Sequence, residues 1–464
     1  MSSNAKPPDP AHAPGKTWSV GTLTYTSLGL CALFFWLLFG DFAWSIKERS
    51  IYPVVQLLFK RFEATDMLTG LLLGSLPGAI ALLVGPIISY KSDRHRGRWG
   101  RRIPFLFIPT LIGALAMVGL AFSPRLGEQM HQALGAHSPG LNPSILIFFG
   151  LFWTLFEFST LTVYAVFGAL INDVVPQPLL GRFYGLFRAC SLIAGMIFNF
   201  WIMGKAEEYY VWIFLGMGAI YGVGFTMMCL KVREGEYPPP PPVVPGRGLG
   251  FVLATKRYFK ECFGHSYYLW FFGAMALSII SFTPINLFGL FFAKSIEMDM
   301  SIYGKCLALT YLVSLFLSYP LGVLVDRFHP LRVGLVAQAV YLAVTLLGGL
   351  YAVDSQSFAI AFVAHGVVSG TYLTATASVW QRLLPPAEFA TFASAGGLIN
   401  SLTGMCVGPL TGAFLDHANH TYRYTFLISC GLTALALGAS LIVHGKFMAL
   451  GGPRHYVAPC GNGS

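Results

Sequence analysis

Twelve stretches of predominantly apolar residues recur along this chain, each long enough to form a helix across a bilayer. A span needs about 20 such residues. Candidate spans lie near 28–56, 67–90, 103–122, 144–171, 183–204 and 209–230, and then near 267–292, 302–325, 331–353, 357–381, 390–415 and 423–445. Inside lipid each helix satisfies its own backbone hydrogen bonds, so the chain reads as an all-α integral membrane protein. Composition supports this. Charged residues make up 11% of the 464, against roughly 25% in soluble globular chains. Met1 to Lys16 are Pro- and Ala-rich and polar and lack the pattern of a cleaved signal peptide. The first apolar run is therefore expected to act as the insertion signal.

The sign and place of the charges set the expected sidedness. The net charge is +10, but the basic residues sit in short loops on one side, as in membrane topology, and not in a patch for nucleic acid. With the amino terminus inside, about 20 of the 30 Lys and Arg fall on cytoplasmic segments. The reverse orientation would place both Lys91 to Arg102 and the central linker outside. The expected plan is a cytoplasmic tail (1–20), a first six-helix bundle (21–230), a cytoplasmic linker (231–265), a second bundle (266–446) and a cytoplasmic tail (447–464), in the cell membrane. The linker holds Pro238 to Pro242, which favours extended geometry. Gly246, Gly248 and Gly250 lie in it with no preceding strand, so they make no nucleotide-binding turn. The eight cysteines are scattered without a CxxC pair and read as buried thiols.

Two pairs of motifs repeat between the halves. Gly85, Asp93, Arg94, Gly100, Arg101 and Arg102 close the second span, and Gly322, Asp326, Arg327 and Arg332 close the eighth. Asn172-Asp173-Val-Val-Pro precedes Arg182, and Gln381-Arg382-Leu-Leu-Pro-Pro holds the matching place in the second half. Related halves with a site between them at mid-membrane are a common transporter construction. The stretch from Gly85 to Phe105 resembles the cytoplasmic loop signature of the major facilitator superfamily. That resemblance implies two pseudo-symmetric six-helix bundles, with Asp93 and its arginines acting as a conformational switch. The form Ser-Asp-Arg followed by Gly-Arg-Arg-x-Pro-Phe is most similar to the glycoside–pentoside–hexuronide cation symporters and the sucrose–proton symporters. Gly40-Asp41-Phe-Ala-Trp44, Pro53-Val-Val-Gln56, and Glu157 placed sixteen residues before Asp173 are similar to the same groups. The fourth-helix acid is Glu where those groups have Asp, and Lys47-Glu48-Arg49 is absent from sucrose symporters.

Ionisable groups inside a span are costly unless paired or hydrated, which makes them functional candidates. Asp41, Glu157 and Arg188 lie inside spans, and a Glu157–Arg188 pair is the expected coupling site. Lys47, Glu48 and Arg49 face a central cavity if the first helix continues to Gln56, and are interface charges if it stops at Ile46. In the second half Asn286, Tyr311, His365, Gln381 and Asn400 are polar groups in apolar runs, suited either to a polyol or to joining helices. Asn419-His-Thr421 fits a glycosylation sequon. No metal-spaced Cys/His cluster, HExxH or nucleophile elbow occurs, so neither metal, cofactor nor enzyme chemistry is expected.

The expected function is secondary transport of a small polar solute, a sugar or glycoside, with H+ or Na+ as coupling ion. Its expected partners are that solute and membrane lipid, with no nucleic acid, and the chain acts as a monomer. An exporter of amphipathic compounds and a non-transporting receptor are the alternatives.

Overall fold

The computed structural model describes residues 17–237, 260, 262–385 and 389–459. Pro238 to Pro242 and the glycines at 246, 248 and 250 lie outside the described residues. Among those described, twelve helices are long and apolar enough to cross a membrane. In the first half these are α1 (Ser27–Arg61), α2 (Asp66–Arg94), α3 (Ile103–Leu134), α4 (Leu141–Val174), α5 (Leu180–Trp201) and α6 (Tyr210–Lys231). The second half contributes α7 (Ser266–Ser295), α8 (Met300–Phe328), α9 (Pro330–Tyr351), α10 (Ser355–Leu383), α11 (Phe389–His417) and α12 (Tyr424–Ala449). With an even number of spans, the start of α1 and the end of α12 share one face, here called the terminus face; the other is the far face.

Local chemistry starts and sustains the helices. Thr26 accepts the Gly29 N–H at 3.2 Å to cap α1, and Asp299 accepts the Ser301 N–H at 2.7 Å to cap α8. Proline does not end α3, which runs twelve residues past the expected limit at 122. Pro124 deprives the Leu120 carbonyl of its intrahelical donor, and the Ser123 hydroxyl supplies one at 2.9 Å. In α2 a π-helical segment at Leu71–Ser75 interrupts the α-helix. There Leu72 O accepts from the Trp153 indole (2.9 Å) and Leu73 O from the Tyr52 hydroxyl (3.0 Å), tying α4 and α1 to the irregular turn.

One element was not expected from the sequence. Before α1 the chain forms a short antiparallel hairpin, β1 (Trp18–Val20) and β2 (Leu23–Tyr25), turning at Gly21 with φ +54°. The Thr22 hydroxyl accepts the Glu236 N–H at 2.8 Å, which pins the hairpin to the chain leaving α6. This leaving segment also clamps α3. The Glu234 carboxylate accepts the N–H groups of Arg101, Arg102 and Ile103 at 2.9, 2.7 and 2.8 Å. Gly100 has φ +98°, and a Cβ there would sit 2.5 Å from the Glu234 carboxylate. The motif glycine is therefore required by both backbone and clamp. Glu234→Ala, which leaves three helix-terminal donors without their acceptor, should cost about 2 kcal/mol. A lowered melting temperature in detergent checks this.

Candidate functional site

α1 is unbroken from Ser27 to Arg61, so the 47–49 triplet and Gln56 belong to one continuous helix. A cavity of about 310 Å³ lies between the halves, at the lower end of the 300–1,000 Å³ usual for small-molecule sites. From the first half α1 lines it with Glu48, Arg49, Tyr52, Pro53 and Gln56. The second half supplies Asn286 from α7, Tyr303, Leu307 and Tyr311 from α8, and Phe362 from α10. The Arg49 guanidinium lies 5.0 Å from the Tyr311 ring centre and donates to the Ser191 hydroxyl at 3.4 Å. Gln56 donates its amide to the carbonyls of Asn286 and Leu287, both at 3.1 Å, joining the halves beside the cavity.

The expected Glu157–Arg188 pair does not form. The cation acting on the buried Glu157 is Lys47, whereas Arg188 experiences the like charge of Arg49. Helical rotation explains this. Residues 47 and 49 lie about 200° apart around α1, so Lys47 faces α4 and Arg49 faces α5. Lys47 is fully buried, donates to the Thr160 hydroxyl on α4 at 3.2 Å and lies 3.7 Å from the Trp44 ring centre. Thr160 stands three residues after Glu157, on the same face of α4.

The other interior candidates divide. Asp41 is buried on α1, seven residues toward the terminus face from Glu48, and does not line the cavity; its Oδ1 accepts from Ser45 at 3.3 Å. Asn286 lines the cavity and is held from behind. His365 donates from Nε2 to the Asn286 side-chain oxygen (3.1 Å), while its Nδ1 accepts the Tyr341 hydroxyl (2.8 Å). His365 is thus a buried positioning group behind Asn286. Asn400 on α11 does not line this cavity, and its Oδ1 is buried without a hydrogen-bond partner among the described residues.

At the terminus face the repeated motifs are unequal. Arg102 is 8% exposed and bridges the two acids of the first half, Asp93 at 2.6 Å and Asp173 at 3.1 Å. Arg101 also reaches Asp173 at 2.8 Å, and the Tyr237 hydroxyl donates to it at 3.1 Å. Burial, with the Glu234 and Asp173 carboxylates, raises the Tyr237 phenol and keeps it a donor. In the second half Asp326 meets Arg382 at 3.0 Å, with the acid 78% exposed. Exposed pairs contribute little. Arg102→Gln, which removes a buried guanidinium from Asp93 and leaves Asp173 to Arg101 and Tyr237, should cost about 2 kcal/mol, and Asp326→Asn under about 1 kcal/mol; denaturation in detergent distinguishes them. Arg94 lies over the Tyr90 ring and Arg327 over the Phe328 ring, and Arg182 is exposed. A Cβ added at Gly85 or Gly322 would meet nothing within 4 Å.

The far face is where the halves close. Gly70, Gly74 and Gly78 form a stripe on α2, which packs against α11 at Gly408, Gly412 and Met405. A Cβ on Gly70 would lie 2.3 Å from the Gly408 carbonyl oxygen, and one on Gly412 would lie 2.2 Å from that of Asp66. The α5–α8 seam is built alike: a Cβ on Gly304 would lie 2.2 Å from the Asn199 carbonyl oxygen. Polar bonds lock the same end. Asp416 accepts the N–H groups of Asp66 and Met67 at 2.9 Å, Tyr422 and His420 bond Asp66 at 3.0 and 2.7 Å, and Lys294 pairs with Glu207.

Residues 270–447 match the model of the Major Facilitator Superfamily. Over nearly its whole length the chain superposes on a D-xylose–proton symporter (TM-score 0.62, 15% identity, 94% of this chain and 98% of that one). The chain has the major facilitator fold. It superposes equally on a bacterial homologue of the human lysosomal transporter Spinster, solved inward-facing and unoccupied (TM-score 0.62, 17% identity, 90% and 97% covered). In sequence it is 28% identical over 177 residues to sucrose transport protein SUT1 of Oryza sativa subsp. japonica. That match covers 37% of this chain and spans 31% of the relative's length.

Within this fold, several interface residues were not singled out as site candidates from sequence. Tyr52, Tyr303 and Phe362 look like ordinary apolar-run aromatics, and Gln56 like a helix-end amide. The glycine stripes did leave a signal, a four-residue spacing in two distant spans, but spacing alone does not say which helix faces which.

Proposed function

We propose that this chain is a secondary transporter that carries a small polar solute, a sugar or glycoside, by alternating access. Its terminus face is cytoplasmic and its membrane is the cell membrane. The observation that carries this reading is the cavity between the halves. Carboxylate, guanidinium, amides and phenols share its wall with aromatic rings, the combination that hydrogen-bonds hydroxyls and stacks on a sugar's apolar face. An amphipathic cargo would call for a more uniformly apolar wall. The glycine-sealed far face and the unfilled space at Gly85 and Gly322 fit a state open toward the cytoplasm. Closing that side would bring the motif ends of α2 and α8 against the opposite half.

Coupling is assigned to Glu157 with Lys47. Protonation of Glu157, or a sodium ion at its carboxylate, would change the partner of Lys47 at the same depth as the cavity. Arg49 would hold solute through its fork of donors while resting on Tyr311. Uptake of a panel of labelled sugars into proteoliposomes, with and without a proton or sodium gradient, tests the reading. Gradient-driven accumulation of at least one sugar is expected; absence of flux for every sugar removes the saccharide assignment. For the sugar that is carried, Arg49→Lys should raise KM about tenfold, since a point charge replaces a planar fork.

A further inference from the structure

At the terminus face of the second half, the ends of α8, α9 and α10 enclose a second cavity together with a carboxyl-terminal hook at Gly452–His455. Its volume is about 630 Å³. Arg327, Arg332, Arg382 and Arg454 line it, opposed by one carboxylate, Asp326. Asp326 is engaged by Arg382 at 3.0 Å. Among the described residues, the other three arginines have no carboxylate within ion-pair reach; the Arg332 guanidinium instead rests 3.5 Å from the Met448 sulfur. Like charges crowded this way repel one another unless an anion lies between them.

The hook is built to bring Arg454 here. Gly451 turns the chain with φ +105°, where a Cβ would lie 2.2 Å from the His455 carbonyl oxygen. Beyond it, Tyr456 donates to the Leu383 carbonyl (2.6 Å) and Tyr268 to the Pro459 carbonyl (2.7 Å), fastening the hook under the bundle. A second feature points the same way. The pocket sits at the amino-terminal end of α9, where the helix dipole favours an anion although His329 already satisfies the first N–H groups. His329 caps that helix, its Nδ1 accepting the Leu331 N–H at 3.3 Å, so Nε2 carries the proton. Burial first, and then the charges of Arg382 and Arg332, push His329 down to about 4.

We propose that this pocket binds a phosphate group, carried either by an anionic lipid headgroup or by soluble phosphate. Guanidinium forks match phosphate oxygens two at a time, and basic pockets between helix ends at headgroup depth suit phospholipids. A bound phosphate would also compete with Asp326 for Arg382, linking occupancy to the ion pair of the second half.

The test uses the full chain in mixed micelles, as wild type, Arg332→Gln and Arg454→Gln. Native mass spectrometry compares retention of phosphatidylglycerol with that of phosphatidylcholine. A parallel arm measures equilibrium binding of labelled inorganic phosphate in phosphatidylcholine micelles. Selective retention of phosphatidylglycerol, weakened roughly fivefold by each substitution, assigns a lipid headgroup. Saturable phosphate binding lost in the variants assigns a soluble ligand. Equal retention of the two lipids with no phosphate binding overturns the proposal, and so does any binding that both variants keep undiminished.

Discussion

Gly70→Ala should open the far face. Its Cβ would lie 2.3 Å from the Gly408 carbonyl oxygen, a backbone atom that cannot swing aside. The two helices must separate, and overpacking of this kind costs about 1–3 kcal/mol. That cost falls on the state in which the α2–α11 seam is shut, and not on a state in which the seam has parted. The population should move toward the far-open form by roughly 5- to 150-fold. Spin labels at Glu63 and His417, on opposite sides of the seam, should show a longer distance in the variant. Gly85→Ala is the matched control, since its Cβ meets nothing within 4 Å and the distance should not change. An unaltered distribution in a folded Gly70→Ala protein would mean that the glycine seam does not hold the closed end.

The second large effect is expected at Glu157. Glu157→Gln removes the carboxylate opposite Lys47 and leaves a fully buried ammonium with Thr160 and the Trp44 ring. Gradient-driven accumulation should fall about a hundredfold, because the group assigned to the coupling ion can no longer change charge. Exchange of solute down its own gradient should persist, since Glu157 does not line the cavity. Lys47→Met should impair both activities, as it strands Glu157 beside apolar surface. The double variant Lys47→Met/Glu157→Gln should recover exchange without accumulation. Full proton- and sodium-driven accumulation by Glu157→Gln would remove the coupling role. Independent, additive losses in the double variant would show that the two residues do not act as a pair.

Much of this protein was legible before any coordinates. Hydropathy located twelve spans because lipid imposes a length and a composition on each of them. The repeated Asp-Arg motifs marked the two halves, since sidedness requires basic loops and the loops recur. Helix ends were less legible. α3 outran its expected limit because a serine hydroxyl repaired the bond that Pro124 removes, a local rescue that no hydropathy window registers. The hairpin at 18–25 escaped notice because its strands are three residues long and held partly by the chain after α6.

For the site, depth could be read along the chain and partnership could not. Asp41, Glu157 and Arg188 were identifiable as interior charges from position alone, because a charge within an apolar run is rare and costly, whereas Lys47, Glu48 and Arg49 depended on whether the first helix continued past Ile46. Which charge faces which depends on helix rotation and on the neighbour across the groove, and these separate Lys47 from Arg49 by about 200°. So the charge of Lys47, not that of Arg188, reaches Glu157, with no ion pair between them among the described residues, and Arg188 experiences the like charge of Arg49. Spacing along the chain was enough for the number of spans and the motif-bearing ends, because a bilayer imposes both length and sidedness. The cavity wall, the charge pairs and the glycine seams had to wait for the folded chain, because these are lateral contacts whose partners are set by helix packing and not by spacing along the chain.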